Sequence, residues 1–363
     1  MHQNNNKMSL STKVLNNNSK HIWSRITEQS KIAQKNGALK THETQYTILQ
    51  KDNIQFVVRI VTQLAKKDKE TATNFTKTTN SMNDPFYVKN PPNINPFLPY
   101  EQNLKVCDVS STHVCLLNKY NVVPNHTLVV TKEYKSQTDF LTKDDFHATW
   151  KCLLAYDHSG GSGLAFYNGG GKASGASQRH KHLQIIPLPF SDDNDEIIDG
   201  DVNEVQPTFP MLDAYKSGRD LGFLYLYKDL VSIRDESKIS VSSVDEISTI
   251  LHDIYNKMIH SLVPSSCVSL SNNENENEET QLKSKYKFEH DPENNNPFSY
   301  NLLLTKDCMV LIPRTSETYK NISTNSIGFA GAMLVRNDDE MNILVEDGPL
   351  VTLQHVAVST SST

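Results

Sequence analysis

The chain has 363 residues, of which 37% are hydrophobic, and its formal net charge is −6. This length allows one large domain or two closely packed ones, and the apolar fraction excludes a globally disordered chain. The acidic balance, with no long basic block, argues against nucleic acid as a partner. No apolar run approaches the roughly 18 residues of a membrane span, and the polar start of the chain is unlike a signal peptide, so no membrane partner is expected.

The chain contains five cysteines, an odd number, and none of them belongs to a C-x-x-C pair. They are Cys107, Cys115, Cys152, Cys267 and Cys308. This usage is typical of reduced and mostly buried thiols, and not of a disulfide framework or a zinc site. We therefore expect an intracellular protein in the cytoplasm, with the nucleus left open as a second location.

Apolar spacing and turn residues predict the elements of the first half in chain order. They are a disordered tail over 1–20, a helix over 22–37, a strand over 54–60, strands over 106–117 and 126–131 around a turn at 124–125, a helix over 139–154, and strands over 164–167 and 179–187. Thr142 is the expected N-cap of the second helix, with Asp144 and Asp145 in its first turn.

The second half carries fewer regular patterns. A helix is predicted over 244–262 and strands over 300–313 and 329–335. Between them, residues 271–281 alternate Asn and Glu with almost no apolar side chain, which predicts a disordered loop. Hairpins mixed with helices indicate an α+β fold built on a largely antiparallel sheet.

The segment 174–189, SGASQRHKHLQIIPLP, carries most of the chemical information. Side chains alternate between the two faces of a strand, so His180, His182 and Gln184 share one face. One imidazole can attack phosphorus while its neighbours orient it and bind the phosphoryl oxygens. A metal site is a weaker interpretation, because glutamine is a poor transition-metal ligand and no carboxylate or thiolate accompanies the pair. Two ordinary structural histidines are the remaining alternative.

A glycine-rich loop, NGGGKASGASQ over 168–178, comes directly before this strand. Glycines let the backbone approach an anion closely, and consecutive N–H groups can form an anion-binding nest. Ser174, Ser177 and Gln178 add side-chain donors, and Lys172 adds a positive charge. The position of the loop next to the histidines indicates a phosphate-binding role.

The pattern H-K-H-L-Q resembles the H-x-H-x-Q signature of the nucleotidyltransferase branch of the histidine-triad superfamily. Five blocks resemble the diadenosine tetraphosphate (Ap4A) phosphorylase family, also called ATP adenylyltransferases, and the likeness extends from about Ile22 to Leu344. The blocks lie at 95–106, 112–134, 166–184, 300–314 and 325–336. The resemblance implies a histidine-triad-like, mostly antiparallel sheet flanked by helices, with a C-terminal α+β extension packed on it.

The same resemblance implies a domain order. Residues 21–225 would form the N-terminal histidine-triad-like catalytic region. Residues 226–345 would form a C-terminal region that completes the nucleotide site, and residues 346–363 would form a C-terminal tail.

The resemblance also implies roles for individual residues. His182 would be the nucleophile, with His180 and Gln184 as the other catalytic side chains. The implied substrate contacts are Lys67, Asn118, Lys119, Asn168, Gly175, Ala176, Ser177, Gln178, Gln184, Asn325, Ser326, Ile327, Ala332 and Arg336. Lys66 and Lys69 compete with Lys67 for its place. The chain departs from the family at Ala332, where methionine is usual, and at Arg336, where lysine is usual.

The implied reaction is the reversible phosphorolysis of Ap4A to ATP and ADP through an adenylyl-histidine. The implied partners are Ap4A, ATP, ADP and inorganic phosphate. A divalent cation, expected to be Mg²⁺, would be carried on the polyphosphate with no metal site on the protein, and a monomer is favoured.

Three other functions stay open at this point. Hexose-1-phosphate uridylyltransferases share H-x-H-x-Q, although they usually have proline between the histidines and many carry cysteine zinc ligands. A non-catalytic protein that binds dinucleoside polyphosphates would have no need for an intact His182. Nucleic-acid binding is supported by short lysine clusters alone.

Overall fold

The computed structural model describes residues 10–42, 44–61, 95–190, 209–231, 243–262 and 299–360. The implied contact Lys67 and the predicted loop over 271–281 lie outside the described residues, and both stay predictions. None of the described helices is both long enough and apolar enough to cross a membrane.

The described residues form helices and strands, which we number in chain order. The helices are α1 (Leu10–Lys35), α2 (Lys143–Leu153), α3 (Leu212–Lys216), α4 (Val244–Leu262), α5 (Ser326–Ala330), α6 (Asp338–Glu346) and α7 (Pro349–Val356). The strands are β1 (Thr44–Lys51), β2 (Ile54–Val61), β3 (Lys105–Asp108), β4 (His113–Leu117), β5 (Thr127–Thr131), β6 (Ser162–Gly169), β7 (His182–Leu188), β8 (Leu226–Asp229), β9 (Ser299–Leu304), β10 (Cys308–Arg314), β11 (Thr318–Tyr319), β12 (Ile322–Ser323) and β13 (Ala332–Val335).

One large sheet organises the molecule. It has eight strands in the order β3-β4-β5-β7-β6-β9-β10-β8, and every neighbouring pair is antiparallel. A smaller sheet has the order β1-β2-β13, in which β13 runs parallel to β2. The predicted α+β class with a largely antiparallel sheet is confirmed.

The two faces of the large sheet bury two separate cores. On β6, Ala165 and Tyr167 pack in one core with residues of α1, α2 and α4. Leu164 and Phe166, on the opposite face, pack in a second core with residues of β2, α5 and α7. Because side chains alternate along a strand, β6 contributes to both. The C-terminal elements therefore cover the same face of the sheet as Phe166.

The ends of the chain differ from the sequence prediction. Helix α1 begins at Leu10, inside the predicted tail over 1–20, and the buried Ser19 on it contacts His158 with 3.0 Å between Oγ and Nε2. The predicted tail over 346–363 is wrong where α7 forms. Leu353 and Val356 of α7 are fully buried, because packing against a core stabilises a short helix that is marginal alone.

Two predicted strands are in fact hairpins. The stretch 106–117 contains β3 and β4, and the turn between them is fixed by Ser110 Oγ, which accepts from the amides of Thr112 and His113. The stretch 300–313 contains β9 and β10, with Thr305 Oγ1 accepting from the amide of Cys308 in the turn. Such side-chain caps let the chain reverse at a short polar stretch without glycine or proline.

The predicted helix over 244–262 and the predicted helix cap are confirmed, and one strand is shorter than predicted. Helix α4 spans the predicted residues 244–262. Thr142 caps α2 in a capping box with Asp145. The stretch 329–335 is a strand only from Ala332, since α5 ends at Ala330 and Gly331 takes φ +97°. Cysteines 107, 115, 152 and 308 are free thiols, three of them buried, as expected.

Candidate active site

A cavity of about 950 Å³ lies over the sheet face that carries His182 and Gln184. Asn168 of β6 lines the same cavity, and the smaller sheet contributes Arg59 and Ala332. Because β6 and β7 pair in register at Phe166 and Gln184, the side chains of Asn168 and His182 emerge on one face. A cavity of this size can enclose an extended nucleotide.

His182 is buried and its ring is oriented by the backbone. Its Nδ1 lies 2.8 Å from the carbonyl oxygen of His180. A carbonyl oxygen only accepts hydrogen bonds, so Nδ1 carries the proton and Nε2 keeps its lone pair. Burial lowers the pKa of His182 to about 4. The imidazole is therefore neutral at pH 7, which is the form that can attack phosphorus.

This pKa predicts the acid limb of the activity profile. Protonation removes the Nε2 lone pair, so the rate of the first chemical step should fall only as the pH drops toward about 4. An ordinary histidine would lose half of its activity near pH 6.5. The rate of a single turnover, measured from pH 4 to 8, tests this. A midpoint at or above pH 6 would contradict the assignment.

The lowered pKa values of the buried histidines also make the folded protein less stable as the pH falls. His126 and His182 both have pKa values lowered to about 4 by burial. The unfolded chain, with ordinary histidines, binds more protons between pH 4 and 6.5, so the stability contributed by these two residues is lost as the pH falls through that window.

His180 is a positioning residue in this geometry. Its Nε2 donates to the carbonyl oxygens of Thr131 (2.8 Å) and Glu133 (3.1 Å), and its Nδ1 lies 3.0 Å from the side-chain nitrogen Nδ2 of Asn95. Both ring nitrogens of His180 thus have hydrogen-bond partners, and the residue does not line the cavity. Its carbonyl group orients His182, while Phe97 contacts both imidazole rings.

Lys181 lies on the opposite face of the strand, as the alternation predicts. It is buried, and its Nζ lies 2.8 Å from the carbonyl oxygen of Phe140 and 3.3 Å from Asp145 Oδ2. Asp145 also holds His113, with 2.9 Å between Oδ1 and Nε2. This buried ionic contact fixes the strand from behind while His182 faces the cavity.

Gln184 is oriented by a histidine that the sequence analysis missed. His126 Nε2 lies 3.0 Å from Gln184 Oε1, and His126 Nδ1 lies 3.1 Å from the side-chain nitrogen of Asn118. Asn118 donates to Nδ1, so Nε2 carries the proton and donates to Gln184. The amide oxygen of Gln184 is then occupied, and its NH₂ group is left to face the cavity. No local pattern indicates this role, because the contact joins residues 58 positions apart.

Asn168 is held by the C-terminal elements. Its Oδ1 accepts from Ser326 Oγ (2.6 Å), from the amide of Ser326 (3.1 Å) and from Asn301 Nδ2 (2.9 Å). Asn168 lines the cavity, and its side-chain NH₂ group can therefore donate to a ligand there. Of the implied triplet 325–327, Asn325 and Ile327 line the cavity, whereas Ser326 is buried against Asn168.

Arg314, a second residue without a role in the sequence analysis, supports this group from behind. It is buried, and it donates to Asn301 Oδ1 and to the carbonyl oxygens of Ser316, Thr324 and Val356. Burial lowers its pKa to about 9, so it stays charged at pH 7. Among the described residues its hydrogen-bond partners are amide and carbonyl oxygens, with no carboxylate.

The glycine-rich loop comes close to α5. Gly175 has φ +78°, and a Cβ atom there would lie 2.7 Å from the carbonyl oxygen of Thr324. Gly175, Ser177 and Gln178 line the cavity, whereas Ala176 is half-buried outside the described lining. The loop therefore depends on glycine both for its backbone conformation and for its packing.

We expect Gly175→Ala to damage both stability and activity. A left-handed backbone with a Cβ costs about 1 kcal/mol, and the overlap with Thr324 adds to it. Gly218→Ala is the matched control, since Gly218 has φ +67° with open space around it. Chemical denaturation and initial rates should show a larger loss for the first variant. Equal effects in the two variants would show that the contact with Thr324 is unimportant.

The basic side chains of the cavity already have partners. Lys119 Nζ lies 2.7 Å from Glu101 Oε2, and Arg336 is paired with the carboxylate of Glu340. Arg59, which the sequence analysis missed inside an apolar strand, donates to the carbonyl oxygen of Phe190. All five of the charged residues in these contacts line the cavity. In the described parts of the chain, no group of three His, Cys, Asp or Glu side chains is arranged to hold a metal.

Two family models together match most of this chain. The family model of the Ap4A phosphorylase N-terminal domain matches residues 12–198, and that of the ATP adenylyltransferase C-terminal domain matches residues 220–359. Protein APA1 of Saccharomyces cerevisiae is 33% identical over 249 residues, covering 65% of this chain and 65% of that protein. Diadenosine 5',5'''-P1,P4-tetraphosphate phosphorylase 2 of the same yeast is 29% identical over 248 residues, covering 65% of this chain and 66% of that protein. The matches thus span just under two thirds of each relative.

The fold is shared with a solved structure. Crystal structures of yeast Ap4A phosphorylase Apa2 with AMP and with Ap4A align with TM-scores of 0.61 and 0.58, at 22% sequence identity. The alignments cover 93% of this chain and 98% and 97% of those chains. Because the two family models match residues 12–198 and 220–359, the resemblance of the sequence blocks is confirmed, and the chain belongs to the Ap4A phosphorylase family.

Proposed function

We propose that this protein catalyses the reversible phosphorolysis of Ap4A to ATP and ADP, with His182 as a covalent nucleophile. The observation that carries the proposal is the neutral, buried imidazole whose Nδ1 is bound by the His180 carbonyl and whose Nε2 is left to react. One relative is named as a diadenosine tetraphosphate phosphorylase, and Apa2 has been solved with Ap4A. Both names support the choice of substrate.

In the first step, His182 Nε2 forms a bond to the α-phosphorus of one adenosine end. The bond from that phosphorus to its bridging oxygen breaks, and ATP leaves with the electron pair on this oxygen. The ring becomes positively charged, and the carbonyl oxygen of His180 at 2.8 Å from Nδ1 stabilises this charge.

In the second step, an oxygen of inorganic phosphate attacks the same phosphorus. The nitrogen–phosphorus bond breaks, its electrons return to Nε2, and ADP leaves. The sum is Ap4A and phosphate in, ATP and ADP out, with the neutral imidazole restored. In reverse, ATP attacks the same intermediate after ADP has formed it.

The NH₂ groups of Gln184 and Asn168 are suited to donate to the phosphoryl oxygens. The backbone of 175–178 and the ammonium group of Lys119 add further positive potential, and Lys67 keeps the role that the resemblance implies. Lys119 must exchange Glu101 for phosphate to do so. Fixed donors of this kind stabilise the charge of a transition state because they need no reorganisation.

Further assignments complete the proposal. A divalent cation, expected to be Mg²⁺, arrives on the polyphosphate, whose oxygens are the ligands that Mg²⁺ prefers. The protein acts as a monomer without nucleic acid. The cytoplasm is the proposed compartment, supported by the free thiols at four described cysteines.

Product analysis tests the proposal. The purified protein is incubated with Ap4A and Mg²⁺, with and without inorganic phosphate, and nucleotides are separated by chromatography. We expect ATP and ADP in equal amounts, formed only with phosphate. Release of AMP without phosphate would indicate a hydrolase. If Ap4A is not turned over, the hexose-1-phosphate uridylyltransferase and the non-catalytic protein that binds dinucleoside polyphosphates are the functions to test.

A further inference from the structure

The pairing between β6 and β7 stops at the site. It runs in register from Ser162 opposite Leu188 to Phe166 opposite Gln184. Continued in this register, the strands would pair Tyr167 with Leu183 and then Asn168 with His182. At Asn168, however, β6 is no longer paired with β7 and is paired with β9, where Asn168 lies opposite Asn301. The two strands thus separate at the proposed nucleophile and the buried asparagine.

The side chain of Gln137 fills the gap between the separated backbones. Its Oε1 accepts from the amide of His182 at 2.8 Å. Its Nε2 lies 3.2 Å from the carbonyl oxygen of His182 and 2.9 Å from that of Asn168. Gln137 is buried, so these three contacts replace the hydrogen bonds that a continued ladder would have supplied.

Gln137 reaches the gap from the side away from the cavity. Its carbonyl oxygen accepts from the hydroxyl of Tyr167 at 2.7 Å, and Tyr167 belongs to the core of α1, α2 and α4. Its amide donates to the carbonyl oxygen of Arg179 at 2.8 Å. The space between His182 and Asn168 on the cavity side is left for a ligand.

We propose that Gln137 is a positioning residue that holds β6 and β7 apart at the spacing that a phosphoryl group needs between His182 and Asn168. The inference rests on the proposed function. Glutamine fits because it offers an acceptor for one N–H and two donors for two carbonyl groups. The rate of a displacement depends steeply on sub-ångström placement, so the effect should fall on the chemical step and not on binding.

Two variants separate positioning from folding. Gln137→Met keeps the size of the side chain but offers no hydrogen bonds. Gln137→Glu keeps the acceptor for the His182 amide, yet the ionised form places a carboxylate oxygen against two carbonyl oxygens. When protonated, the same side chain regains one donor, and burial beside carbonyl oxygens raises the pKa of such a group.

The matched control is Gln354→Met. Gln354 lies on α7 outside the cavity lining and donates to the carbonyl oxygen of Leu221 at 2.9 Å. The single-turnover rate of ATP release from Ap4A, the dissociation constant of Ap4A and the melting temperature are measured for all variants and the wild type, from pH 5 to 8.

We expect Gln137→Met to lower the single-turnover rate by about 100-fold, while the dissociation constant changes by less than about threefold. The rate of Gln137→Glu should rise as the pH falls from 8 to 5, whereas that of the wild type stays flat. Gln354→Met should match the wild type. Any of three results would overturn the inference and leave the proposed function standing. They are equal rates in Gln137→Met and the wild type, a loss of rate matched by a loss of Ap4A binding, and a rate of Gln137→Glu that does not change with pH. No transfer by the wild type would overturn the proposed function and the inference with it.

Discussion

Replacing His182 with alanine is expected to lower the rate of ATP release from Ap4A by about 10⁴-fold or more, because alanine lacks the nitrogen that forms the covalent intermediate. Among the described residues, the ring of His182 makes one hydrogen bond, to the carbonyl oxygen of His180, so the fold should persist without it. Initial rates measured beside the melting temperature and the affinity for Ap4A would show a loss confined to the rate.

His355→Ala is the matched control for this variant. Its Nδ1 also lies 2.8 Å from a backbone carbonyl oxygen, that of Val351, but the residue is exposed on α7 and away from the cavity. It should keep the wild-type rate. A His182→Ala protein whose rate lies within tenfold of the wild type would rule out covalent catalysis by this residue.

The largest expected effect on stability is at Arg314. Arg314→Met leaves Asn301 Oδ1 and three carbonyl oxygens without their buried donor. Unsatisfied buried acceptors cost about 1–3 kcal/mol each, although the costs do not add, so we expect a loss of about 3 kcal/mol or more in the free energy of unfolding. Because Asn301 holds Asn168, the activity of the folded fraction should fall as well.

Urea denaturation measures this loss. Arg219→Met is the control, since Arg219 donates to the carbonyl oxygen of Asp52 at the surface, and surface changes usually stay within about 0.5 kcal/mol. A denaturation midpoint for Arg314→Met equal to that of Arg219→Met would contradict the structural role. Arg314→Lys should recover little of the lost free energy of unfolding, because an ammonium group cannot reach four acceptors as the planar guanidinium group does.

The part of the site that is local in sequence could be predicted. The face shared by His182 and Gln184 follows from alternation along one strand, and the glycine-rich loop precedes it directly. Helix α4 and the Thr142 cap were equally accessible, because spacing and capping chemistry act within a few residues.

The supporting residues could not be predicted because their partners are distant in sequence. Gln137 lies in the connection between β5 and α2 and contacts His182, 45 residues later. Arg314 reaches Asn168 only through Asn301. His126 orients Gln184 across a strand pair. Nothing in the composition near these residues distinguishes them from ordinary buried polar side chains.

Some structural predictions failed for a physical reason. The turns at Ser110 and Thr305 consist of the polar stretches 110–113 and 305–307, which contain no glycine or proline, and side-chain oxygens cap them. Helix α7 was missed because its stability comes from burying Leu353 and Val356 against distant elements. Tertiary packing overrides weak local preference in such segments.

Covalent trapping tests the central claim most directly. The protein is mixed with Ap4A and Mg²⁺ in the absence of phosphate, quenched in base to preserve the nitrogen–phosphorus bond, digested and examined by mass spectrometry. We predict one adenylyl group on the peptide that contains His182 and an equal amount of released ATP. When phosphate is added before the quench, the adenylyl group should leave the protein as ADP. ATP and ADP formed at the wild-type rate without any labelled peptide, or a label on another residue, would contradict the account.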